Sequence, residues 1–231
     1  MRFSASISAF FLVILLLTPS GSGADNPVAE RYFKGMDYAS EGRFAEARAE
    51  FEGALDITAS FTPAREGIRV VDEVLGGKVE TAAAVSFFRG AAKINDGNLE
   101  EAFTDLTRAI ELYPEFVAAY NARGLAYEGL NMHERAVEDF TRAIEIDPVY
   151  PAAYNNRGIS ERRRRLFDKA VEDFSRAIEL DPASAETYNN RGYVYFVHLM
   201  DRIRGCQDFK QACSLGRCTN FHVTLKKGQC R

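Results

Sequence analysis

Cys206, Cys213, Cys218 and Cys230 are the side chains best suited to covalent or metal chemistry, and all four fall in the last 26 of 231 residues. An even, clustered cysteine count in an exported chain reads as a local disulfide staple. Cys218 and His222 have the i, i+4 spacing that sets two ligands on one helix face, so zinc is the sharper alternative. The expected export signal in residues 1–24 disfavours zinc, and the lack of a C-x-x-C pair disfavours a redox centre further. No nucleophile elbow, metalloprotease helix or phosphate-binding glycine loop occurs. His133, His198 and His222 are scattered and read as structural or exposed, and acidic pairs such as Glu138/Asp139 read as solvated helix faces. The expectation is a protein that is not an enzyme and needs no cofactor or metal.

The remaining chemistry is that of binding. "YNARG" stands at 120–124 and "YNNRG" at 154–158 and 188–192, each 34 residues after the last. A carboxamide offers two donors and an acceptor, which suits the backbone of an extended peptide without selecting its side chains. Arg162 to Arg165 form a basic cluster at a helix end; a functional cluster of this kind would favour an acidic peptide, an anionic glycan or an anionic lipid surface. The net charge of −4 gives no support to nucleic-acid binding.

The elements that must carry these residues follow from the period. Units at 83–116, 117–150, 151–184 and 185–218 share Gly90, Gly124, Gly158 and Gly192 at the eighth place. Ala102, Ala136 and Ala170 recur at the twentieth, and Leu106, Phe140 and Phe174 at the twenty-fourth. Ala109, Ala143 and Ala177 recur at the twenty-seventh, and Pro114, Pro148 and Pro182 at the thirty-second. This pattern resembles the tetratricopeptide-repeat family. The resemblance implies an all-α, right-handed superhelical solenoid of antiparallel helix pairs, with about five repeats, one unpaired helix and a C-terminal capping helix. In the unit 117–150, helix A is expected over 117–130 and helix B over 133–146. Glycine and alanine let the two axes approach, and Pro148 closes one unit and suits the first turn of the next helix. Arg89, Arg123, Arg157 and Arg191 at the seventh place are expected to pair with Asp105, Asp139, Asp173 and Asp208 across each hairpin.

The chain ends depart from the period. Residues 1–24 read as a secretory signal: one Arg, an apolar run from Ala9 to Leu17, Pro19, and small residues to Ala24, with an uncleaved anchor as the alternative. Residues 25–77 hold a further repeat at 28–61, carrying Gly35, Tyr38, Gly42, Phe44, Ala47, Phe51 and Ala54 in register. A lone helix follows, started by Thr62–Pro63 and stopped by Gly76–Gly77. It upsets the up–down alternation, so a kink or small boundary is expected near Gly76–Lys78. The array proper runs over 78–218. In its last unit the phase slips by one residue after "YFVHLM", and 219–231 form a stapled capping helix. Of three possible connectivities, an antiparallel pairing of that helix favours Cys206–Cys230 and Cys213–Cys218. The stretch also resembles the cysteine-bearing ends of some exported helical-repeat proteins, and each such disulfide would stabilise by about 2–4 kcal/mol.

In such a solenoid the A helices line the concave wall. Its candidate groove residues are Asn121, Leu125, Asn155, Ile159, Arg162, Arg163, Asn189, Tyr193 and Phe196. The family's asparagine ladder usually stands one place later, where Asn156 and Asn190 lie, and these are secondary candidates. Its basic clamp for a terminal carboxylate is not matched, since those places hold Ala118, Ala152 and Glu186. The expected function is an exported, periplasmic or secreted scaffold that holds an extended segment of another protein. The alternative is a self-associating assembly factor of the cell envelope.

Overall fold

A computed structural model of the chain describes residues 26–59 and 61–230; the expected signal segment lies outside them. The described residues form twelve α-helices and one π-helical turn, with no strand. They divide into two compact units, one ending at Asn131 and the other starting at Met132.

The first unit holds α1 (Pro27–Ser40), α2 (Phe44–Ile57), α3 (Thr62–Leu75), α4 (Thr81–Asn95), α5 (Leu99–Leu112) and α6 (Val117–Gly129). Asn26 starts α1 by accepting hydrogen bonds from the Val28 and Ala29 amides at 3.0 and 3.3 Å, with Pro27 in the first turn. The expected lone helix is α3, and it stops where two glycines stand, Gly77 taking φ +73°. A Cβ at Gly35 or at Gly67 would fall within 2.7 Å of the Phe51 ring, so Phe51 is clasped between α1 and α3. One continuous apolar core runs from Val28 to Ala126. The turn near Gly76–Lys78 is therefore not a packing boundary. The unpaired helix docks on Phe51 as the next A helix of a regular array would, and α4 still packs on α1.

The second unit holds α7 (His133–Ile146), α8 (Pro151–Arg163), α9 (Phe167–Leu180), α10 (Ala185–Tyr193), a π-helical turn (Val194–His198), α11 (Arg202–Ser214) and α12 (Thr219–Lys226). Hairpins α8–α9 and α10–α11 are the A–B pairs the period predicts. Gly158 explains their close approach: a Cβ there would meet Phe174 at 2.9 Å and the Ala170 carbonyl at 3.2 Å. Gly192 is held in the same way by Asp208 and Phe209. Phe140, Phe174, Ala136 and Ala170 are wholly buried, so the recurring aromatic and alanine places are the core. Pro148 and Pro182 lie in connections, outside any helix, and the first-turn proline of α8 is Pro151. The expectation for Pro148 is corrected accordingly: α7 has already ended at Ile146.

The phase slip has a physical cause. Leu199 donates its amide to the Val194 carbonyl five residues back, so the π-helical turn absorbs one extra residue before α11. The A–B turn also demands a left-handed residue. Glycine fills that place at Gly42 and Gly97, but Asn131, Arg165 and Met200 fill it with φ of 59°, 64° and 56°.

Candidate functional site: the A-helix face of the C-terminal unit

The pentapeptide resolves residue by residue in the second unit. The Arg157 guanidinium donates two bonds of 2.8 Å to the Asp173 carboxylate, and a third at 3.1 Å to the Thr141 hydroxyl of the preceding B helix. Arg191 repeats this on Asp208 at 2.9 Å and on Ser175 at 3.0 Å. Each arginine thus ties three helices, and its charge also lies over its own tyrosine, Tyr154 at 5.7 Å and Tyr188 at 5.8 Å. The hydroxyl column escaped the sequence reading. Its signal was present: Thr107, Thr141 and Ser175 stand 34 residues apart, and in the first unit Arg123 reaches Thr107 at 3.3 Å.

The arginine–aspartate column fails at Arg89. That residue is exposed and donates to the Ser40 carbonyl at 3.3 Å, while Lys93 takes Asp105 at 2.9 Å. Lysine stands one turn further along the A helix, where the other units have Tyr127, Glu161 and Tyr195, and its ammonium lies nearer the carboxylate.

The asparagines are not open carboxamides. Asn190 donates to Asn155 at 3.1 Å, Asn155 to Asn156 at 3.4 Å, and Asn220 on α12 to Asn189 at 2.8 Å. They tie neighbouring A helices side by side, so packing does use this position. Asn121, Leu125, Asn156 and Ile159 are buried, which removes Leu125 and Ile159 from any presented apolar stripe. Asn155, Asn189, Asn190, Arg162, Arg163 and Phe196 are half-buried.

What remains presented is an arginine–aromatic cluster. Tyr193 is 39% exposed, with the Arg162 guanidinium over its ring at 5.6 Å. His198 meets Tyr193 edge-on at 5.5 Å and stacks on Phe167 at 4.3 Å. Burial, together with the positive charges of Arg162 and Arg165, pushes the His198 imidazole below its usual range and favours the neutral ring. Its Nε2 is buried without a hydrogen-bond partner. Arg164 is occupied by Glu134 at 2.9 Å, whereas exposed Arg165 has no ion-pair partner among the described residues. Sequence reasoning named Arg162, Arg163 and Tyr193 but set His198 aside and passed over Phe167. The available clue was an arginine at the turn place that glycine fills earlier in the chain.

Beneath this face Glu161 is buried beside Asp173. Burial, then the Asp173 charge, pushes its carboxyl up to about 7 against the opposing pull of Arg157.

Behind the face, the disulfides Cys206–Cys230 and Cys213–Cys218 join α11 to α12 and its following turn. These are the two pairs that an antiparallel register favours. No described helix is long and apolar enough to cross a membrane.

Comparison with known proteins agrees with this architecture. Residues 117–150 match the family described as "Tetratricopeptide repeat" and residues 167–197 that described as "TPR repeat". A search among curated proteins by sequence gives no match. Among solved structures, MamA is similar with a TM-score of 0.55 at 20% identity, covering 78% of this chain and 93% of that one. The first TPR of Spaghetti (RPAP3), bound to the HSP90 peptide SRMEEVD, has a TM-score of 0.50 at 24% identity, covering 51% of this chain and 94% of that one. The first TPR domain of human RPAP3 has a TM-score of 0.50 at 23% identity, covering 52% and 94%. The chain carries tetratricopeptide repeats and has an all-helical, tetratricopeptide-like fold.

Proposed function

We propose that the chain is an exported scaffold that mediates protein–protein interaction by holding an extended, acidic segment of another protein on the A-helix face of its C-terminal unit. The tetratricopeptide fold itself suggests protein–protein interaction. The observation that carries the finer reading is the cluster of Arg162, Arg165, Tyr193 and His198. Two guanidinium groups beside a presented ring suit an Asp or Glu side chain flanked by an apolar one. Arg165 adds a further argument. A left-handed backbone costs a non-glycine residue about 1 kcal/mol, and the turn keeps arginine there regardless. The RPAP3 domain was solved with the HSP90 peptide SRMEEVD, which contains two Glu and one Asp, and this makes acidic peptides a natural first probe. Export is supported by the composition of residues 1–24 and by the two disulfides.

A photo-crosslinking amino acid at position 193, expressed in the native host, tests the reading. The expected product is a discrete adduct whose crosslinked peptides are rich in Asp and Glu, lost when Arg162 and Arg165 are both changed to Ala. Adducts unaffected by that double change would contradict it.

A second reading rests on Val197, Met200 and Ile203, which are 42%, 67% and 75% exposed at one end of the α10–α11 hairpin. Self-association through this apolar tip would appear in sedimentation as a dimer that Ile203→Asp dissociates. A strict monomer at high concentration removes it.

A further inference from the structure

We propose that Cys213, Cys218 and His222 form a redox-gated site for a thiophilic divalent cation, closed while the disulfide is intact and opened by a dithiol reductant. The three side chains come from the end of α11 and the start of α12, and their ligand atoms all lie within 4.8 Å of one another. On a tetrahedral zinc ion, sulfur and imidazole donors sit about 3.3–3.8 Å apart, from Zn–S of about 2.3 Å and Zn–N of about 2.0–2.1 Å. Once the bond between Cys213 and Cys218 is broken, side-chain rotation must separate the two sulfurs to about 3.8 Å and draw the imidazole in by about 1 Å. His222 is held for it: its amide donates to the Cys218 carbonyl at 2.9 Å, so the helix stacks the imidazole one turn above the sulfur. The exposed imidazole leaves a fourth position open to water.

The two disulfides differ in access. Cys213 and Cys218 are both half-buried, whereas in the other pair Cys206 is half-buried and Cys230 is 4% exposed, so a reductant can approach either sulfur of the first bond but only one of the second. In the opening step a dithiol breaks the Cys213–Cys218 bond, leaving two protein thiols and becoming a cyclic disulfide itself. Two electrons and two protons pass to the protein. Cation binding then deprotonates both thiols and releases those two protons. Throughout, Cys206–Cys230 keeps α12 against α11, so the ligands stay together without their own covalent link.

Zinc titration of the full mature chain tests this. One sample stays oxidised; another is reduced with a phosphine, which adds no competing thiol, until alkylation mapping finds only Cys213 and Cys218 free. Native mass spectrometry and competition with a chromophoric chelator report stoichiometry and affinity. The expected result is one zinc per reduced chain and none per oxidised chain. His222→Ala, which preserves both disulfides in the oxidised fold, should weaken zinc by about 10-fold or more. Cobalt(II) in place of zinc should give a thiolate charge-transfer band that Cys213→Ser abolishes. Equal zinc binding by oxidised and reduced chains, no binding by the reduced chain, or an affinity indifferent to His222→Ala would each overturn the proposal. This test is independent of peptide binding, because neither residue touches the Arg162–Tyr193 face.

Discussion

Arg157 and Arg89 occupy the same place in their repeats, yet only one is locked. Arg157 neutralises an Asp173 side chain that is 7% exposed, so Arg157→Ala leaves a buried charge and should destabilise by about 3 kcal/mol. Arg89→Ala removes one exposed bond to a carbonyl and should change stability by less than about 0.5 kcal/mol. Urea unfolding of both variants at neutral pH checks the contrast. Glu161 makes the pH dependence specific, since Asp173, Arg157 and Lys169 are the charged groups around it. Its carboxyl titrates near 7 in the folded chain against 4.5 ordinarily, so the folded state holds a proton that the unfolded chain has already released. This contribution to stability is full below about 4.5 and is lost as pH rises through about 7. Glu161→Gln should remove that slope and raise stability at pH 8 by about 1 kcal/mol after solvent screening. An unchanged pH profile would place the raised titration elsewhere.

At the scale of the element, the hairpin is decided by small residues that admit large ones. Gly158→Ala puts a methyl against the Phe174 ring and the Ala170 carbonyl; the rigid carbonyl cannot yield, so a cost of about 1–3 kcal/mol is expected. Thermal unfolding monitored by circular dichroism measures it. These contacts were legible in the sequence because they recur: Gly158, Ala170 and Phe174 show at a fixed interval what a single repeat would hide. The bidentate Arg157–Asp173 pair was legible for the same reason. Departures from the period were harder to read. One extra residue at 194–198 showed only as a slipped phase, while its π-helical form depends on a backbone bond the letters do not display. Lys93 displaced Arg89 because reach, and not residue type, chose the partner of Asp105. The asparagines were misread because a carboxamide on an A helix is drawn alike whether it meets solvent or the next helix. Only the register of α8 against α10 places Asn190 on Asn155.

At the scale of the molecule, two compact units share one chain, and the second presents Arg162, Arg165 and the exposed Tyr193 ring near one another. Arg162 and Arg165 are cationic although the chain carries a net charge of −4, so the proposed attraction for an acidic segment would be local and should fall as salt rises. The most direct test is a fluorescence-anisotropy titration of the chain with a labelled, unstructured acidic peptide, repeated with the Arg162→Glu/Arg165→Glu double variant. Saturable binding that weakens with salt and is lost, by about 10-fold or more, in the double variant is the predicted result. Binding of equal strength in the variant, or the same affinity for a peptide with its acids changed to amides, would contradict it.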